Sequence, residues 1–287
     1  MPGDANPRVA VIVPCHNDGP LAREAVESVR EEEPVELAVI DDCSTHSATT
    51  EALTELARDG VNVVHHEVNR GLSASRNTGL QATRAPYVFP LDADDLLVPG
   101  VLRKMADRLD GSPGAAACVG DYVEFGEHAA ERRVPLELDA YRLAYRNEYP
   151  VSALLRRTAL EAIGGWGWEL GAYEDWDVWL SFAERGYPCV HVGRETPIFR
   201  RRVHGGRMLV ERGRRRHRYL YRELRRGHPE IYEHLRDHRR RSDLGFGGRL
   251  IYPVLYGGRP RGGFDLRVKR WLDRIRGSRS SGVIGGG

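Results

Sequence analysis

Three short stretches gather carboxylates at spacings that suit chemistry. "FPLDADDLL" sets Asp92, Asp94 and Asp95 directly after an apolar run, "VIDDCST" sets Asp41 beside Asp42, and "YEDWDVW" sets Glu174, Asp175 and Asp177 among indoles. Two like charges about 4 Å apart repel by ~1 kcal/mol in water, and several-fold more at a partly buried rim. A divalent cation reverses the sign of that interaction, and carboxylate oxygens suit Mg2+ or Mn2+. The first stretch therefore reads as a cation site, with a solvated acidic turn as the plain alternative. In the third, helix capping by the acids is the plain structural reading. Trp176 and Trp179 would desolvate Asp175 and raise its pKa, while a helix N-terminus would lower it. The sequence leaves that balance open.

The elements that must hold these groups alternate in type. "RVAVIVP" (8–14), "VELAVIDD" (35–42), "VNVVHHE" (61–67) and "YVFPLDADD" (87–95) read as strands. Between and after them, "PLAREAVESVREEE", "SATTEALTELARDG", "SASRNTGLQATRA" and "LVPGVLRKMADRLDG" read as helices, with Gly60 as a helix stop. This alternation predicts an α/β fold with a mainly parallel, Rossmann-like sheet flanked by helices. Ligands in such sheets bind at the carboxyl ends of the strands. Cys15-His16-Asn17-Asp18, Asp41-Asp42 and Asp92 to Asp95 all fall there, on one rim. Beyond about Ala115 the pattern loosens. "ACVGDYVEFG" reads as one strand, and a Gly- and Trp-rich loop runs into a helix at "YEDWDVWLSFAERG".

Bulk properties narrow the class. The chain has 287 residues, 41% hydrophobic and 29% charged, which suits one large domain with a smaller appendage. No apolar run approaches the roughly 18 residues of a membrane span, and the first residues do not read as a signal peptide. Cys15, Cys43, Cys118 and Cys189 form no CxxC pair and read as reduced thiols of a cytoplasmic protein. The net charge of +2 conceals an asymmetry. Residues 1–193 hold 17 Lys and Arg against 32 Asp and Glu, and residues 194–287 hold 26 against 9. An acidic first part and a basic last part predict separate partners, or docking of one on the other.

Taken in order, "VIVPCHND", "VIDDCST", "NRGLSASRNTG", "FPLDADDLL", "GGW" and "YEDWDVWLSFAERG" resemble the inverting family 2 glycosyltransferases of GT-A fold, over roughly residues 8–205. The resemblance implies a hexosyl- or N-acetylhexosaminyl-transferase with a nucleotide-sugar donor, UDP-linked by default, and Mn2+ or Mg2+ on the donor's diphosphate. By the same resemblance Asp94 ligates the metal, with Asp92 beside it at the ribose or the metal's waters. Asp42 accepts the uracil N–H, with Asp41 sharing that role or orienting the loop. Pro14, His16 and Asn17 flank the base, although relatives often have Tyr where His16 stands. Arg76 and Asn77 face the donor, with a salt bridge to a rim aspartate as the structural alternative for Arg76. Gly164, Gly165 and Trp166 wall the donor sugar, His204 lies near the diphosphate or metal, and Asp175 with Glu174 supplies the base. Trp168 and Trp179 read as wall or core, Asp95 as a cap of the next helix, and the His65-His66 pair carries no assigned role.

These expectations divide the chain into a catalytic domain over 1–205, a basic helical region over 206–277 and a disordered tail over 278–287. Within the first, 8–120 binds the nucleotide-sugar and 120–205 forms the acceptor side. The basic region is expected to meet an anionic acceptor or the inner membrane face peripherally, or to dock as a solvated helical face. "LRVKRWLDRIRG" is compatible with an interfacial helix. Nucleic acid ranks last, because no known module matches. The acceptor is a glycan, lipid, peptide or natural product. Competing readings are a sugar-nucleotide nucleotidyltransferase, which lacks here an early Gly-rich, Lys-containing phosphate loop, and a non-catalytic peripheral binding protein.

Overall fold

The computed structural model describes residues 6–167, 172–204 and 208–256, with side chains from residue 216 in the last segment. Along the first part of the chain run β1 (Val9–Cys15), α1 (Gly19–Ser28), β2 (Val35–Asp41), α2 (Ser47–Arg58), β3 (Asn62–His65), α3 (Leu72–Ala82) and β4 (Tyr87–Pro90). Next come β5 (Leu96–Leu97), α4 (Val101–Asp110), β6 (Ala117–Val119), β7 (Tyr122–Gly126), β8 (Ala130–Arg132), α5 (Ala140–Leu143), β9 (Leu154–Arg156) and α6 (Arg157–Ala162). The last elements are α7 (Glu174–Glu184), β10 (Cys189–His191), β11 (Phe199–Val203), α8 (Met208–Gly227), α9 (Pro229–Glu233), α10 (Leu235–Arg241) and α11 (Phe246–Tyr256).

Seven of these strands form one sheet in the order β10-β6-β9-β4-β1-β2-β3. All pairs are parallel except those of β9, which runs antiparallel to β4 and β6. The expected mainly parallel α/β sheet is therefore present. Strand β1 is buried along its whole length, as its β-branched run requires. It passes through Pro14 instead of ending there. Pairing with β4 stops at Ile12 opposite Pro90, and Leu91 N–H donates to the Ile12 carbonyl, so the Pro14 nitrogen points where β4 has already left. Its missing N–H costs the ladder nothing. Helix α3 lies close on this sheet because residue 79 is glycine: a Cβ there would sit 2.8 Å from Ile12 Cγ2.

The segment "ACVGDYVEFG" is two strands in two sheets, not one. β6 joins the large sheet, and β7 joins a four-stranded sheet ordered β5-β11-β7-β8. The chain passes from one sheet to the other at Gly120, where a Cβ would stand 2.4 Å from Ile198 Cγ2. This second sheet positions the rim. β11 runs antiparallel to β5, with Arg200 opposite Leu96. Continuing that register carries Arg202 and His204 back alongside the aspartates that precede β5.

Helices α8 to α11 pack on the body of the protein. Leu220, Tyr221, Leu224 and His228 form one buried stripe, while Arg216, Arg218, Arg222, Arg225 and Arg226 are exposed. The basic helix is thus docked by apolar contact with its arginines in water. The Tyr221 and Tyr232 hydroxyls donate to the Ala144 carbonyl, at 2.7 and 3.0 Å. His228 is buried between Asp177 Oδ1 at 3.0 Å and Glu184 Oε2 at 2.9 Å, both on α7. Burial opposes its charge, but the two carboxylates win and raise its pKa. A raised folded-state pKa stabilises fully below the unfolded value of about 6.5, and that gain is lost as pH climbs through the folded value. The stability difference between wild type and His228→Gln, measured by urea unfolding, is expected to be largest below pH 6.5 and to shrink on raising the pH.

Candidate active site

At the rim, the aspartate loop and the strand after it face each other. Asp92 and Asp94 side chains are each 34% exposed. His204 Nε2 lies 3.0 Å from Asp94 Oδ2, as the β5–β11 register implies. Asp18, from the turn after β1, stands in the same field. Its pKa is raised by burial first and then by the charge of Asp94, with His204 opposing. Asp95 behaves differently. It is buried, accepts the Arg202 amide at 2.9 Å, and its pKa is driven well up by desolvation and by its two aspartate neighbours. It does not cap α4, whose N-cap is Gly100 with no side-chain cap bond.

One buried arginine ties the rim to α7. Arg76, in the first turns of α3, is 1% exposed and places Nη2 2.6 Å from Asp92 Oδ1 and Nη1 2.9 Å from Glu174 Oε1. Its Nε is buried without a partner. The salt bridge reading of Arg76 is what the geometry shows, and it reaches Glu174 as well as Asp92. Asp175 follows at the first turn of α7, half-buried. Its Oδ2 accepts from Asn147 Nδ2 at 2.9 Å and its Oδ1 from the Trp176 amide at 2.8 Å. Its pKa is pushed up to about 7 by burial and by the adjacent Glu174, against the Trp176 amide and Arg76. The balance that the sequence left open is decided by desolvation.

The turn after β2 is held together by Asp42. Its carboxylate accepts the amides of Arg70 at 2.7 Å and Gly71 at 2.8 Å, and His66 Nδ1 at 2.8 Å. His66 Nε2 continues to Thr78 Oγ1 at 2.9 Å. Asp42 is therefore engaged by the chain itself, and its side chain is only 6% exposed. Asp41 contacts Ser44 N–H and the exposed ring of His65, which hold its pKa below the usual carboxylate value despite burial. Asn17, with φ of 64°, accepts the amides of Thr45 and His46 through Oδ1 and so ties the turn after β1 to the segment that leads into α2. Pro14 is buried, and His16 is exposed with Nδ1 2.8 Å from the Asp42 carbonyl oxygen.

Two expected donor contacts belong to packing instead. Trp166 is 1% exposed and lies in the hydrophobic core, so its indole cannot stack on a sugar. Asn77 clamps the same residue, donating to the Trp166 carbonyl and accepting its amide, both at 2.9 Å. A Cβ at Gly165 would meet Asn77 Oδ1 at 2.4 Å, which explains the glycine there. Trp179 is core, with Tyr149 at 5.1 Å and Phe182 at 5.9 Å between ring centroids. Trp168, the interfacial stretch "LRVKRWLDRIRG" and the tail 278–287 lie outside the described residues.

The model of "Glycosyl transferase family 2" matches residues 10–164, more than half of the chain. The chain belongs to glycosyl transferase family 2. It is 25% identical to the uncharacterized glycosyltransferase YwdF of Bacillus subtilis over 223 residues, covering 74% of this chain and 81% of that one. It is 33% identical to the succinoglycan biosynthesis protein ExoO of Rhizobium meliloti over 111 residues, but that match spans only 32% of ExoO. Among solved structures, S. aureus TarS in complex with UDP-GlcNAc has a TM-score of 0.60 at 18% identity over 85% of this chain and 70% of that chain. The mannosyltransferase PcManGT of Pyrobaculum calidifontis, in complex with GDP-Man and Mn2+, has a TM-score of 0.58 at 18% identity, covering 98% and 77%. These likenesses establish the GT-A fold.

One partner in this family member's site escaped the sequence. Asn147 sits in an unpatterned loop 28 residues before its carboxylate, and nothing in "RNEYP" marks it. Asp18 reads from the sequence as part of the rim, at the end of the polar cluster after β1, but without a role. Arg76→Leu leaves two carboxylates unpaired. It is expected to cost about 3 kcal/mol in urea unfolding, the low end for breaking a buried pair because Asp92 remains partly solvated. Arg76→Lys should recover only part of it, since one ammonium does not reproduce a fork spanning two acids.

Proposed function

We propose that the chain transfers a sugar from a nucleoside diphosphate sugar, UDP-linked, to an acceptor hydroxyl with inversion and with a divalent cation. The observation that carries this reading is the Arg76 bridge, because it fixes Glu174 of α7 to Asp92 of the rim and so sets Asp175 beside the aspartate loop. Asp94 and His204 offer one carboxylate and one imidazole 3.0 Å apart, and Asp18 adds negative field. That donor set fits Mn2+ or Mg2+, the remaining positions being left to the donor's phosphates. Among the described residues no three His, Cys, Asp or Glu side chains converge on one point, so a cation there would share its ligands with the donor. The cation would offset charge on the departing diphosphate. Asp92, with one oxygen on Arg76, is left to the ribose or to metal-bound water.

Asp42, with Asp41 sharing the role, meets the base: the Asp42 oxygens also hold two amides and His66, and those of Asp41 the Ser44 amide and the exposed His65 ring. Pro14 and His16 flank that position at the end of β1. The acceptor oxygen attacks the anomeric carbon as the bond to the diphosphate oxygen breaks, and its proton passes to Asp175. Asn147 and the Trp176 amide hold that carboxylate in one orientation. The acceptor side of the site is assigned to the chain after residue 120.

In a thermal-shift screen, UDP-sugar with Mn2+ is expected to raise the midpoint of the wild type, because a ligand of the native state stabilises by mass action. Asp94→Ala should lose the Mn2+-dependent part, and an unchanged shift would remove Asp94 from the cation site. The rate profile supplies a second test. A base must be ionised to accept a proton, so kcat/KM should fall as pH drops below about 7. Asn147→Ala removes a hydrogen bond to the charged form and should move that limb to higher pH. Asp175→Asn should abolish transfer while leaving the donor-induced shift in place.

A further inference from the structure

Helix α11 carries an apolar face that the described residues leave uncovered. Phe246, Leu250, Ile251 and Val254 are 79%, 48%, 48% and 67% exposed. Their spacing of four, one and three residues places them on one side of the helix. The other side is seated on the protein. Tyr252 is buried against Tyr145, and the Arg249 carbonyl accepts the Tyr141 hydroxyl at 2.6 Å. Four large apolar side chains exposed on one helix face mark a docking site.

Charge selects the occupant. Helix α10, which precedes α11 by a short turn and packs on the same α5, ends in Arg239, Arg240 and Arg241. Arg236, Arg239 and Arg241 make no ion pair among the described residues, and Arg236, Arg240 and Arg241 are exposed. Residues 257–287 hold eight Lys and Arg against two Asp, so the chain's own C-terminal segment would bring like charge to this surface. An anionic bilayer offers an apolar interior for the four side chains and negative headgroups for the arginines. We infer that α10 and α11 form a docking surface for an anionic lipid membrane. No helix among the described residues is long and apolar enough to cross one, so contact is made at the interface. This inference stands apart from the transfer reaction and survives its failure.

The test is co-sedimentation of the full chain with vesicles of phosphatidylcholine plus phosphatidylglycerol, against phosphatidylcholine alone. Wild type is expected to pellet with the anionic vesicles and to be released by salt. Phe246→Ser with Val254→Ser, and separately Arg236→Glu with Arg241→Glu, should each weaken partition by about ten-fold. Their thermal midpoints should match wild type, since these side chains are in water. Three outcomes overturn the inference. Wild type stays in the supernatant; the paired variants bind as wild type does while Trp271→Ser does not; or size-exclusion shows a dimer that the Phe246 variant dissolves.

Discussion

A single guanidinium between two acids is the constraint on which the site rests. Arg76 is buried and its charge needs compensation; Asp92 and Glu174, 16 and 98 residues away, supply it. Leaving such a charge unpaired costs several kcal/mol, so the pairing fixes more than its own geometry. It sets the depth of α3 under the rim, the orientation of the aspartate loop and the approach of α7. Asp175 inherits its position from that bridge. It sits one residue beyond Glu174, close enough to feel its charge and enclosed enough to lose water. The raised pKa is thus a by-product of how α7 is anchored.

Around this bridge, side chains hold backbone. Asp42 binds two amides at the entry to α3, Asn17 two amides at the entry to α2, Asn77 both polar groups of Trp166, and Asp95 an amide of β11. Each satisfies main-chain polar groups that have no partner within their own helix or strand. The basic C-terminal helices add a second anchor. They clamp α7 through His228 and the stripe around Tyr221, which leaves their arginines free to face a solvent or a surface.

Much of the frame was legible from local pattern. The β-branched runs gave β1, β2 and β4, the polar clusters marked their carboxyl ends, and the order of motifs gave the family. What escaped depended on partners far along the chain. "ACVGDYVEFG" reads as one strand because its periodicity is continuous, and only its distant partners, β9 and β10 for the first half and β11 for the second, divide it between two sheets. The strand pairing of β11 with β5 set Asp95 against Arg202 and not at the start of α4. Asp41 and Asp42 are adjacent and alike, yet the loop at Arg70 and Gly71 takes Asp42 while Ser44 and the exposed His65 take Asp41.

The sequence alone determined the fold class, the family and the rim on which the carboxylates gather, because strand and helix periods and strand-end polarity are encoded over a few residues. Tertiary structure alone decided what each polar group does there. Trp166 went to the core and not to a sugar face, because its indole packs among apolar side chains while Asn77 holds its backbone. Asp175 became a carboxylate that titrates near neutrality, because burial outweighs the helix terminus and the flanking arginine. Desolvation and charge pairing depend on distances across the whole domain, and no local spacing contains them.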